Sequence, residues 1–271
     1  MIEFSVSFIE FVLATFIPIC IGMFSVVALS NITQVNTRYF SAYALGLLFW
    51  FFFDTMNDAV QLGVNDGYAF GFHQTGLVVL FITGFLLVAL LGGRSPRKQS
   101  MAKASIFPLL LAMLVGLGMS IHGIGEGLEF GGTAAGTQAT SVLDAIGGVG
   151  GGLSYVLHKL LESTIVIVVF VALARTQDLS IRKQLWQTVI VGLAFGIPSV
   201  IGEAVAYYVP IDSSYFFAMG GGAALSVILQ VIRPIFEENN GKEVTYSQWI
   251  RISLAVLLGF FLFYGAALFH S

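Results

Sequence analysis

Three pairs of acidic or histidine residues in this 271-residue chain are spaced four positions apart: His122 with Glu126, His158 with Glu162, and Asp54 with Asp58. On a helix that spacing puts both members of a pair on one face, one above the other. If the segments carrying the two His/Glu pairs pack with those faces together, two imidazoles and two carboxylates converge. Nitrogen and oxygen donors of this kind suit zinc, iron, manganese and their neighbours, with no thiolate to hold the ion too firmly. A purely structural hydrogen-bonding role would have to account for the same costly pattern twice in consecutive segments. Asp54 and Asp58 lack an imidazole and read either as a weaker relay on the path to the site or as a water-exposed helix-end pair. The single cysteine, Cys20, lies in an apolar run and reads as a small buried hydrophobe, which excludes a disulfide framework or a thiolate cluster.

The elements that must position these groups follow from composition. Hydrophobic residues make up 57% of the chain and charged residues 10%, and the mean hydropathy is +0.90. Those fractions lie far outside the range of soluble globular domains. The expected fold is an all-α integral membrane protein, with residues 1–271 forming a single polytopic transmembrane domain. Because a helix needs about 20 apolar residues to cross the hydrocarbon, apolar runs place eight transmembrane helices near 5–29, 39–62, 75–91, 105–130, 147–174, 186–209, 214–233 and 248–270. The start, Met1-Ile2-Glu3-Phe4, carries an acid and lacks a secretory signal's basic residues, so the first run reads as a retained span. The connections are short, turn-rich and charged, as in Gly92-Gly93-Arg94-Ser95-Pro96-Arg97-Lys98.

Basic residues fall on alternate sides of this pattern. Arg38, then Arg94, Arg97, Lys98 and Lys103, then Arg175, Arg182 and Lys183, then Arg233, Lys242 and Arg251 lie in alternate connections or at the adjoining span ends. The opposite connections, near 63–74, 131–146 and 210–213, hold none. The positive-inside rule makes the first set cytoplasmic, which gives a multi-pass protein of the cell membrane with both termini outside the cytoplasm. The partners expected are the lipid bilayer and divalent metal ions, and not nucleic acid.

Other polar groups at bilayer depth are functional candidates by default. Glu203 could be an entrance ligand or a proton acceptor; Glu129 and Asp144 could be either of these or exposed residues near the outer surface. His73 and His270 read as solvated histidines at the outer edge. Lys159, beside His158, is expected to pair with Glu162 or an acid on a neighbouring span. Pro18 and Pro198 would kink their helices and free carbonyls to line a cavity. Glycines run through the fourth span, at 116, 118, 123, 125 and 127, and open the fifth in Gly147-Gly148-Val149-Gly150-Gly151-Gly152. They permit close helix packing and sliding.

The chain resembles the ZIP (Zrt/Irt-like) metal transporters. Their fourth span usually reads His-Asn-x-x-Glu-Gly, where this chain has His122-Gly123-Ile124-Gly125-Glu126-Gly127. Their fifth often reads His-Lys-x-Pro-Glu-Gly, where this chain has His158-Lys159-Leu160-Leu161-Glu162-Ser163. Asp54-Thr55-Met56-Asn57-Asp58-Ala59 looks like an acidic variant of the second-span His-x-x-Pro-Glu-Ala. Gln230 with Arg233-Pro234 is similar to the family's seventh-span stretch, and the segment around Pro198 to its kinked sixth span. The resemblance implies a 3+2+3 arrangement with an inverted repeat, spans four and five holding the site between the repeats, and a homodimer. It implies inward transport of a divalent transition metal ion, zinc foremost, bound by His122, Glu126, His158 and Glu162, with Asp54, Asp58, Glu203 and Gln230 on the transport path. Gly123 in place of the family's asparagine, together with Lys159, points to one metal position rather than two. The short connection between spans three and four carries no histidine, unlike the histidine-rich connection frequent in the family.

Two other function classes use similar residues. An intramembrane metal-dependent hydrolase would place three protein ligands and an activated water at depth, yet only two histidines lie within spans here and no group stands out as a base. A proton or cation channel could use the acidic pairs without binding metal tightly. Metal-dependent uptake into vesicles marks the carrier, and product formed from a lipid or peptide marks the hydrolase. A transporter rather than an enzyme is expected.

Overall fold

The computed structural model describes residues 2–32, 37–64, 72–92, 107–136, 141, 148–175, 179–236 and 245–268. Eight helices account for almost all of them: α1 (Phe4–Ile32), α2 (Thr37–Val64), α3 (Phe72–Gly92), α4 (Phe107–Gly136), α5 (Gly148–Arg175), α6 (Ile181–Ala206), α7 (Ser214–Phe236) and α8 (Tyr246–Ala267). No strand occurs among the described residues. A helix satisfies every backbone polar group within its own segment, as an apolar solvent requires. Seven of the eight are long and apolar enough to cross a membrane, so the chain is an all-helical membrane protein. The helix outside that set is α4, whose described part carries His122, Glu126 and Glu129 among glycines, all of which lower hydropathy. The expected residues Asp144 and His270, and the basic residues Arg94, Arg97, Lys98, Lys103 and Lys242, lie outside the described residues. Arg38, Arg182, Lys183 and Arg251 lie near the starts of α2, α6 and α8.

Burial sorts the helices into an interior and a periphery. Of the apolar windows in α5 and α7, 61% is buried, against 11% in α3 and 17% in α8. The main hydrophobic core runs through the bundle, from Ile19 and Met23 of α1 through Leu47 and Phe51 of α2, Met119 of α4 and Ile165 of α5 to Phe195 of α6 and Phe263 of α8, with two small clusters beside it. Outward-facing Leu, Ile, Val and Phe side chains on α1, α3, α6 and α8 stay exposed, as a lipid-facing surface permits, and Cys20, expected to be buried, is exposed among them on α1. Pro18 and Pro198 each lie inside a continuous helix.

The most extensive interface joins α4 to α6, followed by α3 to α7, α2 to α8, α2 to α7 and α1 to α5. Along the first, Gly123 faces Ser199, Gly127 faces Ser199 and Glu203, and Gly131 faces Glu203 and Tyr207, so the two helices run parallel at backbone contact. Gly46 and Gly259 do the same between α2 and α8, as do Gly84 and Gly222 between α3 and α7. Small residues are the means by which helices approach closely where lipid supplies no hydrophobic drive.

This packing gives a prediction with a built-in control. In an exposed helix, Gly→Ala stabilises by roughly 1 kcal/mol. At Gly127 the added methyl would land on the Ser199 carbonyl oxygen and 2.8 Å from the Glu203 backbone nitrogen, whereas at Gly132 it would meet nothing within 4 Å. Gly127→Ala is expected to destabilise by about 1–3 kcal/mol, the usual range for overpacking, and Gly132→Ala to be neutral or stabilising. Thermal unfolding in detergent checks this; equal melting temperatures for the two variants would contradict the packing described.

Candidate metal centre

The centre is built where α4 and α5 face each other across the interior. His122 and Glu126 project from one face of α4, and His158, Lys159 and Glu162 from α5. Gly220 of α7 lets the neighbouring helix lie against the His122 backbone, since a Cβ there would stand 2.8 Å from the His122 Cβ. His122 is 1% exposed, His158 6%, and Lys159 and Glu162 are fully buried. Glu126 is partly buried.

One donor atom from each of His122, Glu126, His158 and Glu162 lies within 4.8 Å of the other three. His122 Nε2 is 3.6 Å from Glu126 Oε1 and 3.7 Å from Glu162 Oε1, while His158 Nε2 is 3.6 Å from the same Glu162 oxygen. Zinc bonds of about 2.0–2.2 Å place ligand atoms roughly 3.3–3.6 Å apart in a tetrahedron, so these three separations nearly match, and the wider ones, up to 4.8 Å, must close around an ion. His158 Nε2 and Glu162 Oε1 are buried without a hydrogen-bond partner among the described residues. Buried polar atoms are normally satisfied, and a cation shared by the two would satisfy both.

The other oxygens of the two carboxylates are already committed. The Lys159 ammonium donates to Glu126 Oε2 and, at 2.6 Å, to Glu162 Oε2. Lys159 thus pairs with both acids of the site. The Tyr155 and Phe195 rings lie 5.8 and 5.5 Å from its nitrogen, a distance at which aromatic faces attract a cation. One positive charge therefore sits on the far side of the carboxylates from the imidazoles, which leaves one side open to a second.

Aromatic rings close the remaining walls. Phe51 of α2 meets His122 edge-on at 4.8 Å, Phe217 of α7 lies 5.1 Å from the same ring, and Phe263 of α8 meets His158 edge-on at 4.8 Å. The two imidazoles lie nearly parallel, 6.3 Å apart between centroids. Together the rings surround the two imidazoles with apolar surface, which strengthens the charge interactions beside them.

The other expected path residues divide. Asp54 reaches the centre, with Oδ2 3.7 Å from His158 Nδ1. Asp58, one turn further along α2, is partly buried and near enough to Asp54, His122, His158 and Glu129 to feel their charges. Glu203 and Gln230 do not join the group. Glu203 is fully buried on α6 and accepts a hydrogen bond from Ser7 at 3.0 Å. Gln230 donates toward the Val88 carbonyl at 3.4 Å and Ser226 Oγ at 3.5 Å. Glu129 is exposed and, with Thr133, Pro210 and Asp212, lines an open cleft of about 490 Å³. His73 contacts Tyr215 at 3.1 Å and Asp212 at 3.6 Å.

Gly123 has a structural reason as well. A Cβ at that position would collide with Ser199 Oγ, so an asparagine side chain fits there only if the Ser199 side chain turns away or α6 moves. Sequence reasoning missed Thr55, whose Oγ1 lies 3.1 Å from His122 Nδ1, and Phe51, Phe217 and Phe263. Nothing in the pattern distinguishes these from ordinary residues of apolar helices. No protein-family model and no curated protein matches the chain.

Proposed function

We propose that this protein carries a divalent transition metal ion, zinc foremost, across the cell membrane toward the cytoplasm, as the resemblance to ZIP transporters implies. The observation that carries the reading is the buried convergence of His122, Glu126, His158 and Glu162, with His158 Nε2 and Glu162 Oε1 left unsatisfied. An ion bound there takes one nitrogen from each histidine and the free oxygen of each glutamate, and Lys159 supplies the positive charge that a second ion would otherwise bring. One ion at a time is the consequence. Asp58 and then Asp54 form the approach from the outer side, drawing the cation along α2 to the imidazoles.

The expected 3+2+3 arrangement belongs to the same proposal. If α1, α2 and α3 correspond to α6, α7 and α8, and α4 to α5, then the α4/α6 contact has its counterpart in α5/α1, α3/α7 in α8/α2, and α4/α7 in α5/α2. The prolines inside α1 and α6 fall on corresponding helices. These correspondences support an inverted repeat enclosing α4 and α5, a construction suited to alternating access at a midplane site.

Purified protein in liposomes tests the function. Saturable uptake of Zn²⁺ or a neighbouring divalent ion is expected, falling as the pH drops toward about 5, because imidazole and carboxylate ligands must lose their protons to bind metal. Uptake that never saturates and ignores the identity of the cation would replace the carrier with a channel. Stimulation by acid on the metal-donor side would overturn the simple competition of protons with metal.

A further inference from the structure

We infer that Asp54 and Thr55 of α2 are positioning residues of the metal centre: they hold the Nδ1 edges of His158 and His122 so that both Nε2 atoms face the glutamates. The inference rests on the proposed metal-binding reading of the His/Glu group and assigns α2 a part in it beyond the approach path.

A neutral imidazole has one protonated and one bare nitrogen. Only the bare one ligates, and the partner of the protonated one decides which nitrogen that is. Both histidines here meet a side chain of α2 on the Nδ1 edge and a glutamate on the Nε2 edge. Thr55 Oγ1 lies 3.1 Å from His122 Nδ1, and Asp54 Oδ2 lies 3.7 Å from His158 Nδ1. Opposite them, His122 Nε2 faces Glu126 and Glu162, and His158 Nε2 faces Glu162.

The geometry follows from the helix. Consecutive residues on α2 are about 100° apart around the axis, so neighbours can reach different helices, Thr55 toward α4 and Asp54 toward α5. Thr55 is fully buried, so its hydroxyl needs a partner within the protein. With a proton on Nδ1, the threonine oxygen accepts from His122. The Asp54 carboxylate faces His158 Nδ1 at ion-pair distance, 3.7 Å, too long for a direct hydrogen bond but close enough to favour the proton on that nitrogen, and a negative partner makes the imidazole a better donor to metal. Phe51, one turn before Thr55, packs edge-on against His122 and keeps its ring from turning over.

An approach role and a positioning role give different results. An approach residue changes how fast metal arrives; a positioning residue changes equilibrium affinity and ligand geometry. The test uses the purified full chain and Co²⁺ as probe, read by isothermal titration and by the visible ligand-field spectrum. Thr55→Val, which keeps the shape and removes the oxygen, is expected to weaken Co²⁺ binding by about tenfold to a hundredfold and to shift the spectrum, and Thr55→Ser to restore both. Wild-type affinity and spectrum in Thr55→Val would overturn the inference. Should Thr55→Val not fold, Asp54→Asn reads the His158 side in the same way: a loss of the same order supports the inference, and an unchanged affinity and spectrum overturn it. If the wild-type chain binds no Co²⁺, the metal reading falls and takes this inference with it. If the wild type binds and the folded variants match it, only the positioning roles fall.

Discussion

Glu162→Gln is expected to remove bound metal and saturable uptake together while leaving the bundle folded. Of the two candidate glutamate ligands, Glu162 makes more contacts within the centre. Its Oε1 stands 3.7 Å from one imidazole and 3.6 Å from the other, and its Oε2 accepts from Lys159 at 2.6 Å. The glutamine keeps the side-chain volume in a fully buried position, so packing alone gives no cause for unfolding. It loses the charge, and its amide turns either a nitrogen toward the imidazoles or a nitrogen toward the lysine. Changing a residue that merely supports a ligand typically costs tenfold to a hundredfold in metal affinity, so loss of this ligand should exceed about a hundredfold. Glu126→Gln should cost less, because Glu126 is partly buried and touches only one of the two histidines. Metal content of the purified variants and uptake in liposomes measure the effect. Wild-type metal content and kinetics in Glu162→Gln would remove it from the site.

The second large effect is expected at Lys159. Lys159→Met preserves an unbranched chain in the same space but leaves Glu126 and Glu162 facing each other without their shared cation. Removing one partner from a buried ion pair typically costs about 3–5 kcal/mol, since an uncompensated charge remains. The metal-free variant should melt well below the wild type. A saturating divalent ion should then stabilise it more than it stabilises the wild type, and the bound stoichiometry should rise from one ion toward two as the vacated side of the carboxylates takes a cation. Melting curves with and without Zn²⁺, together with metal counting by mass spectrometry, decide this. A variant as stable as the wild type, with unchanged stoichiometry, would show that the lysine is not the counter-charge of the site.

Most of the helical pattern was legible because lipid imposes it. The run near 39–62 is Thr37–Val64 in the structure, and that near 75–91 is Phe72–Gly92. The misjudged ends have local causes. Helix α4 continues past Phe130 through Gly131 and Gly132 to Gly136, because packing against α6 holds a stretch whose glycines read as a stop. Helix α6 begins at Ile181, ahead of the apolar run, and its early Gln184 side chain donates to the Leu179 carbonyl. Within the site, spacing alone gave the two His/Glu pairs, since residues four apart share a face whatever the tertiary fold. It could not give the bond from Lys159 to Glu126, which depends on how α4 and α5 are rotated against each other. Nor could it separate Glu203 from the centre, because hydropathy gives depth along a helix and not the direction in which a residue points. Thr55 was invisible for a related reason: a threonine between an aspartate and a methionine has no meaning until a histidine from another helix arrives beside it.

The lysine inside the centre also has an electrical consequence. Glu126, Glu162, Asp54 and Lys159 together carry two net negative charges, and a divalent ion with neutral imidazoles cancels them. In a carrier built on this site, the loaded form would cross the membrane field without net charge and the metal-free form with two negative charges. At roughly 2.3 kcal/mol per charge for every 100 mV, a negative interior would push the metal-free form back out, so the membrane potential would drive the return half of the cycle.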